Sequence, residues 1–128
     1  MELLIDSHVL IWLTLEPDRL SRRVRDLLSD EQNTWLLSIV SIWEIQIKLQ
    51  LGELSLNLPL SRLIADLQAA NNLELLTIAL SHIWALEELP NYHRDPFDRL
   101  LIAQANAEQL PFLSKDEVFD RYSIQRIW

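Results

Sequence analysis

Five acidic residues occupy positions where a carboxylate can do chemistry. Asp6 closes the apolar run ELLID, residues 2 to 6, and Asp116 follows PFLS, residues 111 to 114. Glu44 lies in SIWEI, among Ile42, Trp43, Ile45 and Ile47. Asp95 and Asp98 stand three apart in HRDPFDRLLIAQA. Each also has a structural role open to it. An aspartate after a strand often caps the next helix. Ser41-x-x-Glu44 matches a capping box. Asp95 before Pro96 reads as an N-cap with proline at the first helical position. Asp98 then lies where the helix dipole favours negative charge.

The chemical reading rests on convergence. Two carboxylates about 4 Å apart repel by about 4 kcal/mol at an effective dielectric near 20. Asp6, Glu44, Asp98 and Asp116, if brought together, cannot all stay ionised and unpaired. Either some protonate or a divalent cation sits among them. All-oxygen ligands favour Mg²⁺ or Mn²⁺ over zinc. Such a cation suits attack on a phosphodiester, because it activates water and neutralises developing charge. One carboxylate can orient or deprotonate that water.

The elements that must position these residues follow from hydrophobic spacing. ELLID, TWLLS (34–38), LELLTI (73–78), PFLS and the C-terminal SIQRIW read as strands. Between them, helical patterns run from about His8 to Leu15, after Ser21 as N-cap, from Ser41 to a stop at Gly52, and through LPLSRLIADLQAANN. Two more follow: SHIWALEEL, stopped by Pro90, and a nearly all-apolar helix from about Pro96 to Gln109. Strands alternating with helices predict one α/β domain with a mainly parallel sheet of four to five strands. In such sheets ligands bind beyond the C-terminal strand ends, where strand order reverses. Asp6 and Asp116 fall at that rim.

Bulk composition excludes several classes. A chain of 128 residues, 49% apolar, can bury a core of its own. Its single glycine, Gly52, excludes a P-loop and a dinucleotide-binding fingerprint. No apolar run is long enough to span a bilayer, and MELLIDSHV has no basic leader region, so no membrane association is expected. The absence of cysteine removes disulfides and thiolate metal sites and fits a cytoplasmic location. A net charge of −8 repels phosphate at long range, so a nucleic-acid role needs cations or local basic patches.

Among the remaining polar residues, Ser7 and Ser114 flank the acids and can hydrogen-bond water or phosphate, though turn and capping roles are their default. Lys48, one turn past Glu44 as an i,i+4 pair, and Arg94 and Arg99 are placed to meet a substrate phosphate. Arg22, Arg23 and Arg25 read as a solvated face. His8, His82 and His93 lack metal-ligand spacing and read first as packing or local hydrogen-bonding residues. The tryptophans read mostly as core.

MELLIDSHVLIWL, SIVSIWEIQIKLQLGEL, HRDPFDRLLIAQA and LPFLSKDEVFDRY together resemble the PIN-domain nucleases, and more narrowly the VapC-like toxins of bacterial toxin–antitoxin pairs. The resemblance spans the chain, with its motifs in order. It implies a three-layer α/β/α fold and a Mg²⁺-dependent endoribonuclease. It also implies four acids at Asp6, Glu44, Asp98 and Asp116, of which Asp116 is the most variable in role. Asp95 is extra to that pattern and is read as a cap supporting the site. A homodimer and a cognate antitoxin lying over the active-site groove are further implications, with Trp12 or Trp43 expected to line that groove. The rivals are another metal-dependent phosphoryl-transfer enzyme and a non-catalytic protein-binding module. A haloacid-dehalogenase-type phosphatase needs D-x-D after the first strand, where this chain has Asp6-Ser7-His8.

Overall fold

The computed structural model describes residues 1–128. Five strands form one sheet in the order β3-β2-β1-β4-β5: β1 (Glu2–Ile5), β2 (Thr34–Ser38), β3 (Leu73–Leu76), β4 (Phe112–Leu113) and β5 (Arg126–Ile127). Every pairing is parallel. The sheet is therefore wholly rather than mainly parallel, and strand order reverses at β1, between β2 and β4. All strand C-termini share one rim, so Asp6 and Asp116 follow neighbouring strands on the same side.

Period-two alternation along the strands builds two cores. Leu3, Ile5, Trp35, Leu37 and Leu113 face one layer, against α1 (Ser7–Leu15), α2 (Arg22–Ser29) and α4 (Leu60–Ala70). Leu4, Leu36 and Phe112 face the other, against Leu101, Ile102 and Ala105 of α6 (Pro96–Ala107). The short α5 (Leu80–Ala85) packs against α6 on that side. The expected α/β/α sandwich is present. α3 (Ile39–Gln50) straddles the two layers: Val40 joins one core and Ile45 the other, and the helix touches both α1 and α6. Glu44, between those two residues, is thereby held at the sheet rim.

Local chemistry sets the helix ends. The Ser21 hydroxyl accepts from the Val24 N–H at 3.1 Å, as the capping pattern predicts. α3 begins at Ile39 rather than Ser41, because the Ser38 hydroxyl takes the capping role and accepts from Val40 N–H at 3.1 Å. The Ser41–Glu44 capping box is accordingly absent; Ser41 lies inside the helix with its hydroxyl buried and unpaired. At the other end Gly52, at φ 75°, lets Glu53 N–H reach Lys48 C=O at 2.9 Å and Gly52 N–H reach Leu49 C=O at 3.2 Å. That pair of hydrogen bonds satisfies carbonyls the helix leaves open. Strand ends expected at residues 78 and 114 stop at Leu76 and Leu113, and the helix expected through Leu89 tightens into a 3-10 turn over Leu86–Glu88.

One buried polar side chain joins the layers that carry the acids. Gln104 of α6 is fully buried. It accepts from the Ser38 hydroxyl at 2.5 Å and donates to Thr77 C=O at 3.2 Å. Its partner Ser38 is also the cap of α3, so Gln104 couples the helix bearing Glu44 to the helix bearing Asp98. Leucine at this position leaves the buried Ser38 hydroxyl without its acceptor, at about 1–3 kcal/mol for that group. Gln104→Leu is expected to lower folding stability by at least about 1 kcal/mol in urea denaturation; an unchanged midpoint would count against this role.

Candidate metal centre

Asp6 is nearly buried at the end of β1 and caps α1. Its Oδ1 accepts from the Ser7 N–H at 2.7 Å, and its Oδ2 accepts from the Ser114 hydroxyl at 2.8 Å. The Ser7 hydroxyl donates in turn to Glu44 Oε1. The Ser114 hydroxyl also accepts from the Asp116 N–H at 3.1 Å. Two serines thus tie three of the acids together across β1, α3 and β4. Asp116 keeps its capping task as well, accepting from Val118 N–H at 3.1 Å while its side chain remains exposed.

Asp95 and Asp98 divide the work at the start of α6. Asp95 Oδ1 accepts from Phe97 N–H at 2.9 Å and from Asp98 N–H at 3.3 Å, the cap expected before proline. That cap aims the first helical turn at the rim and brings Asp98 in among the other acids. Ligating atoms of Glu44, Asp95 and Asp98 lie within 4.8 Å of one another, as do those of His93, Asp98 and Asp116. Asp98 belongs to both groups.

The electrostatic consequence falls on Asp98. Burial, then the charges of Asp6, Asp95, Glu44 and Asp116, push its carboxyl from the ordinary 3.8 up to about 8. Desolvation and like charges act in the same direction here, since both disfavour a further anion. A divalent cation reverses that logic by supplying positive charge at the point of convergence. The clustered donors are the carboxylate oxygens of Glu44, Asp95, Asp98 and Asp116 with the imidazole of His93. The residues present therefore fit a hard divalent cation.

The other sequence candidates separate. Ser7 and Ser114 lie inside the cluster. Glu44 takes its hydrogen bond from Ser7, not from Lys48 one turn on. Arg94 is exposed in the segment before α6. Arg99 turns away from the acids, and its guanidinium donates to the carbonyls of Pro90, His93 and Leu89 at 2.9, 3.4 and 3.4 Å. Its work is to fix the loop that carries Asp95. Two histidines that lacked ligand spacing belong at the site. His93 Nε2 is 3.0 Å from Asp98 Oδ2, and His8 Nδ1 is 3.2 Å from Asp6 Oδ2. The only sequence cue was adjacency: each stands two residues from an aspartate. Trp84, read as core, is instead exposed; Trp43, one of the two tryptophans expected to line a groove, is exposed as well.

The PIN domain family matches residues 3–125, and the chain belongs to that family. No curated protein matches it. Its fold is shared with solved structures of low identity. A chain of VapBC2 from Rickettsia felis, solved bound to a DNA fragment from its promoter, superposes with a TM-score of 0.74 at 16% identity, covering 99% of this chain and 98% of that one. VapBC-1 from nontypeable Haemophilus influenzae gives 0.67 at 16% identity, covering 99% and 97%. FitAcB from Neisseria gonorrhoeae gives 0.66 at 17% identity, covering 100% and 97%.

The raised Asp98 carboxyl makes stability depend on pH with a definite sign. The folded state holds a proton that the unfolded chain releases near pH 4. The contribution is therefore complete below that pH and lost as pH rises through about 8. In metal-free protein, the melting-temperature difference between wild type and Asp98→Asn should widen in favour of the variant from pH 5 to 9. Saturating Mn²⁺ should raise the wild type more than the variant. A difference independent of both pH and Mn²⁺ would remove the crowding argument.

Proposed function

We propose that this protein is a Mg²⁺-dependent endoribonuclease acting as the toxin of a toxin–antitoxin pair, with Mn²⁺ able to replace Mg²⁺. The observation that carries the reading is the convergence on Asp98, whose ligating atoms lie within 4.8 Å of those of Glu44 and Asp95 on one side and of His93 and Asp116 on the other. Membership of the PIN family and likeness to chains of VapBC2 and FitAcB support the biological context.

Asp6, Glu44 and Asp98 would hold the cation, and Asp116 would assist directly or through water. When bound, the cation supplies charge neutralisation and lowers the pKa of water beside the phosphodiester. The chain's own residues do the rest. Ser7 and Ser114 fix the carboxylates of Asp6 and Glu44 so that little reorganisation accompanies reaction. His93 orients Asp98. Asp116, the exposed member, would align the attacking water and accept its proton. Asp95 aims the α6 turn without itself being needed as a ligand.

The expected partners are RNA, a cognate antitoxin and a second copy of the chain. An apolar cleft of about 450 Å³ between α3 and α4, lined by Ile39, Ile42, Trp43, Leu60 and Ile64, suits an amphipathic antitoxin helix. Leu80, Ile83 and Trp84 form an exposed apolar face on α5, a surface suited to dimerisation. No helix is long and apolar enough to cross a membrane.

Purified, partner-free protein should cleave RNA with Mg²⁺ or Mn²⁺ and stop in EDTA. Asp98→Asn should lose more activity than the roughly 10- to 100-fold that follows loss of an outer support around a metal. Asp95→Asn, still an N-cap, should fall within or below that range. Cleavage that survives both EDTA and Asp98→Asn, or its absence with every divalent metal, would reject the nuclease reading and favour a binding module.

A further inference from the structure

A second constellation adjoins the carboxylates on the β1–β4 side. His8, on the first turn of α1, bridges it to the acids. Its Nδ1 lies 3.2 Å from Asp6 Oδ2, and its Nε2 accepts from the Lys115 N–H at 3.2 Å. Nδ1 therefore carries the proton toward Asp6, and the ring is fixed between the acid and the loop that follows β4. The same ring packs against Trp12 with centroids 4.6 Å apart, and Trp128 meets Trp12 edge-on at 5.9 Å. Both indoles are only partly buried.

Two cations share the Trp12 ring. The Arg19 guanidinium carbon is 4.1 Å from the ring centroid and the Lys115 ammonium 5.7 Å. An indole face attracts cations strongly enough to offset part of their mutual repulsion. Arg19 has one acidic partner, Glu16 at 3.1 Å, with both side chains more than half exposed at 52% and 58%. Such a pair is weak and exchangeable. Positive charge is thus gathered beside the acids of a chain whose net charge is −8.

That arrangement answers a need the metal centre leaves open. A cation among the acids can neutralise only the phosphate at the reaction point. The phosphates on either side still face an acidic protein and require cations of their own. Aromatic rings interleaved with basic side chains form the usual platform for single-stranded nucleic acid. A duplex keeps its bases stacked inside and cannot offer one to the indoles.

We propose that His8, Trp12, Arg19, Lys115 and Trp128 form a subsite for one unpaired nucleotide of single-stranded RNA next to the phosphate being cut. Lys115 and Arg19 take the flanking phosphate, the Trp12–Trp128 pair takes the base, and His8 fixes the subsite's distance from Asp6. The subsite rests on the nuclease reading. It differs from Lys48, Arg94 and Arg99, the basic residues that sequence position alone favoured.

The test uses the Asp98→Asn protein as a binding parent, in Mg²⁺, with a short fluorescein-labelled single-stranded RNA and its duplex followed by anisotropy. Lys115→Met should weaken single-strand binding about fivefold or more. It should also lower the slope of log affinity against log salt by about 0.7, the value of one lost phosphate contact. Trp12→Leu should weaken the single strand by about fivefold to a hundredfold and leave the duplex nearly unchanged. In the otherwise wild-type enzyme, Lys115→Met should raise KM and spare kcat, with Mn²⁺ affinity and melting temperature unchanged. If the wild type cleaves RNA while Lys115→Met alters neither affinity, salt slope nor KM, the subsite is wrong and the nuclease reading stands. Equal weakening of single strand and duplex by Trp12→Leu would overturn base stacking there. If no cleavage occurs but Lys115→Met still weakens binding with the expected slope, the subsite stands and the nuclease reading fails.

Discussion

The structure turns on the crowding of carboxylates around Asp98. Three facts of construction create it. A wholly parallel sheet sends Asp6 and Asp116 to one rim from neighbouring strands. α3 spans the two cores and holds Glu44 at that rim. The Asp95–Pro96 cap starts α6 so that Asp98 enters the same space. Each step is ordinary folding chemistry. Their sum is a cost, because burial and like charge together drive the Asp98 carboxyl up to about 8. A divalent cation at this point would relieve it.

The surroundings keep the acids from separating. Ser7 and Ser114 each touch two acidic residues, Ser7 through its backbone and hydroxyl, Ser114 through the hydroxyl alone. Gln104 binds the cap of α3 from within α6. Arg99 anchors the loop before Asp95 to three carbonyls. Each contact restrains an element that carries an acid, so repulsion cannot relax by moving helices apart. The energy instead appears as proton uptake, which ties the site's protonation to its stability. His8 extends the same framework outward, linking Asp6 to the aromatic and basic cluster around Trp12.

Much of this was legible in the sequence, for identifiable reasons. Strands with period-two apolar residues and helices with Ser, Asp-Pro or Gly boundaries are local features, and β1, β2, α2 and α6 appear where those features place them. Asp95 and Asp98 could be told apart because proline fixes the helix start between them. Glu44 was harder. Ser41-x-x-Glu44 has the local form of a capping box, but Ser38 lies where the strand ends and takes the cap, freeing Glu44 for Ser7, 37 residues away in sequence. His8 and His93 stand close in sequence to the aspartates they meet, but lacked the regular spacing that marks metal ligands. Gln104 was not legible as a bridging residue, because its partners Ser38 and Thr77 are set by how sheet and helices meet, not by spacing within a segment. Arg99 was misplaced for the same reason: proximity to Asp98 in sequence says nothing of which way a long side chain turns.

Carbon-detected NMR titration of the Asp98 carboxyl, with and without Mg²⁺, tests the central claim most directly. The crowding account predicts that in metal-free protein this carboxyl titrates near 8, well above the ordinary 3.8. Saturating Mg²⁺ should bring its midpoint below neutrality. A carboxyl that titrates at its ordinary value and ignores Mg²⁺ would contradict the account, because the acids would then not share a site.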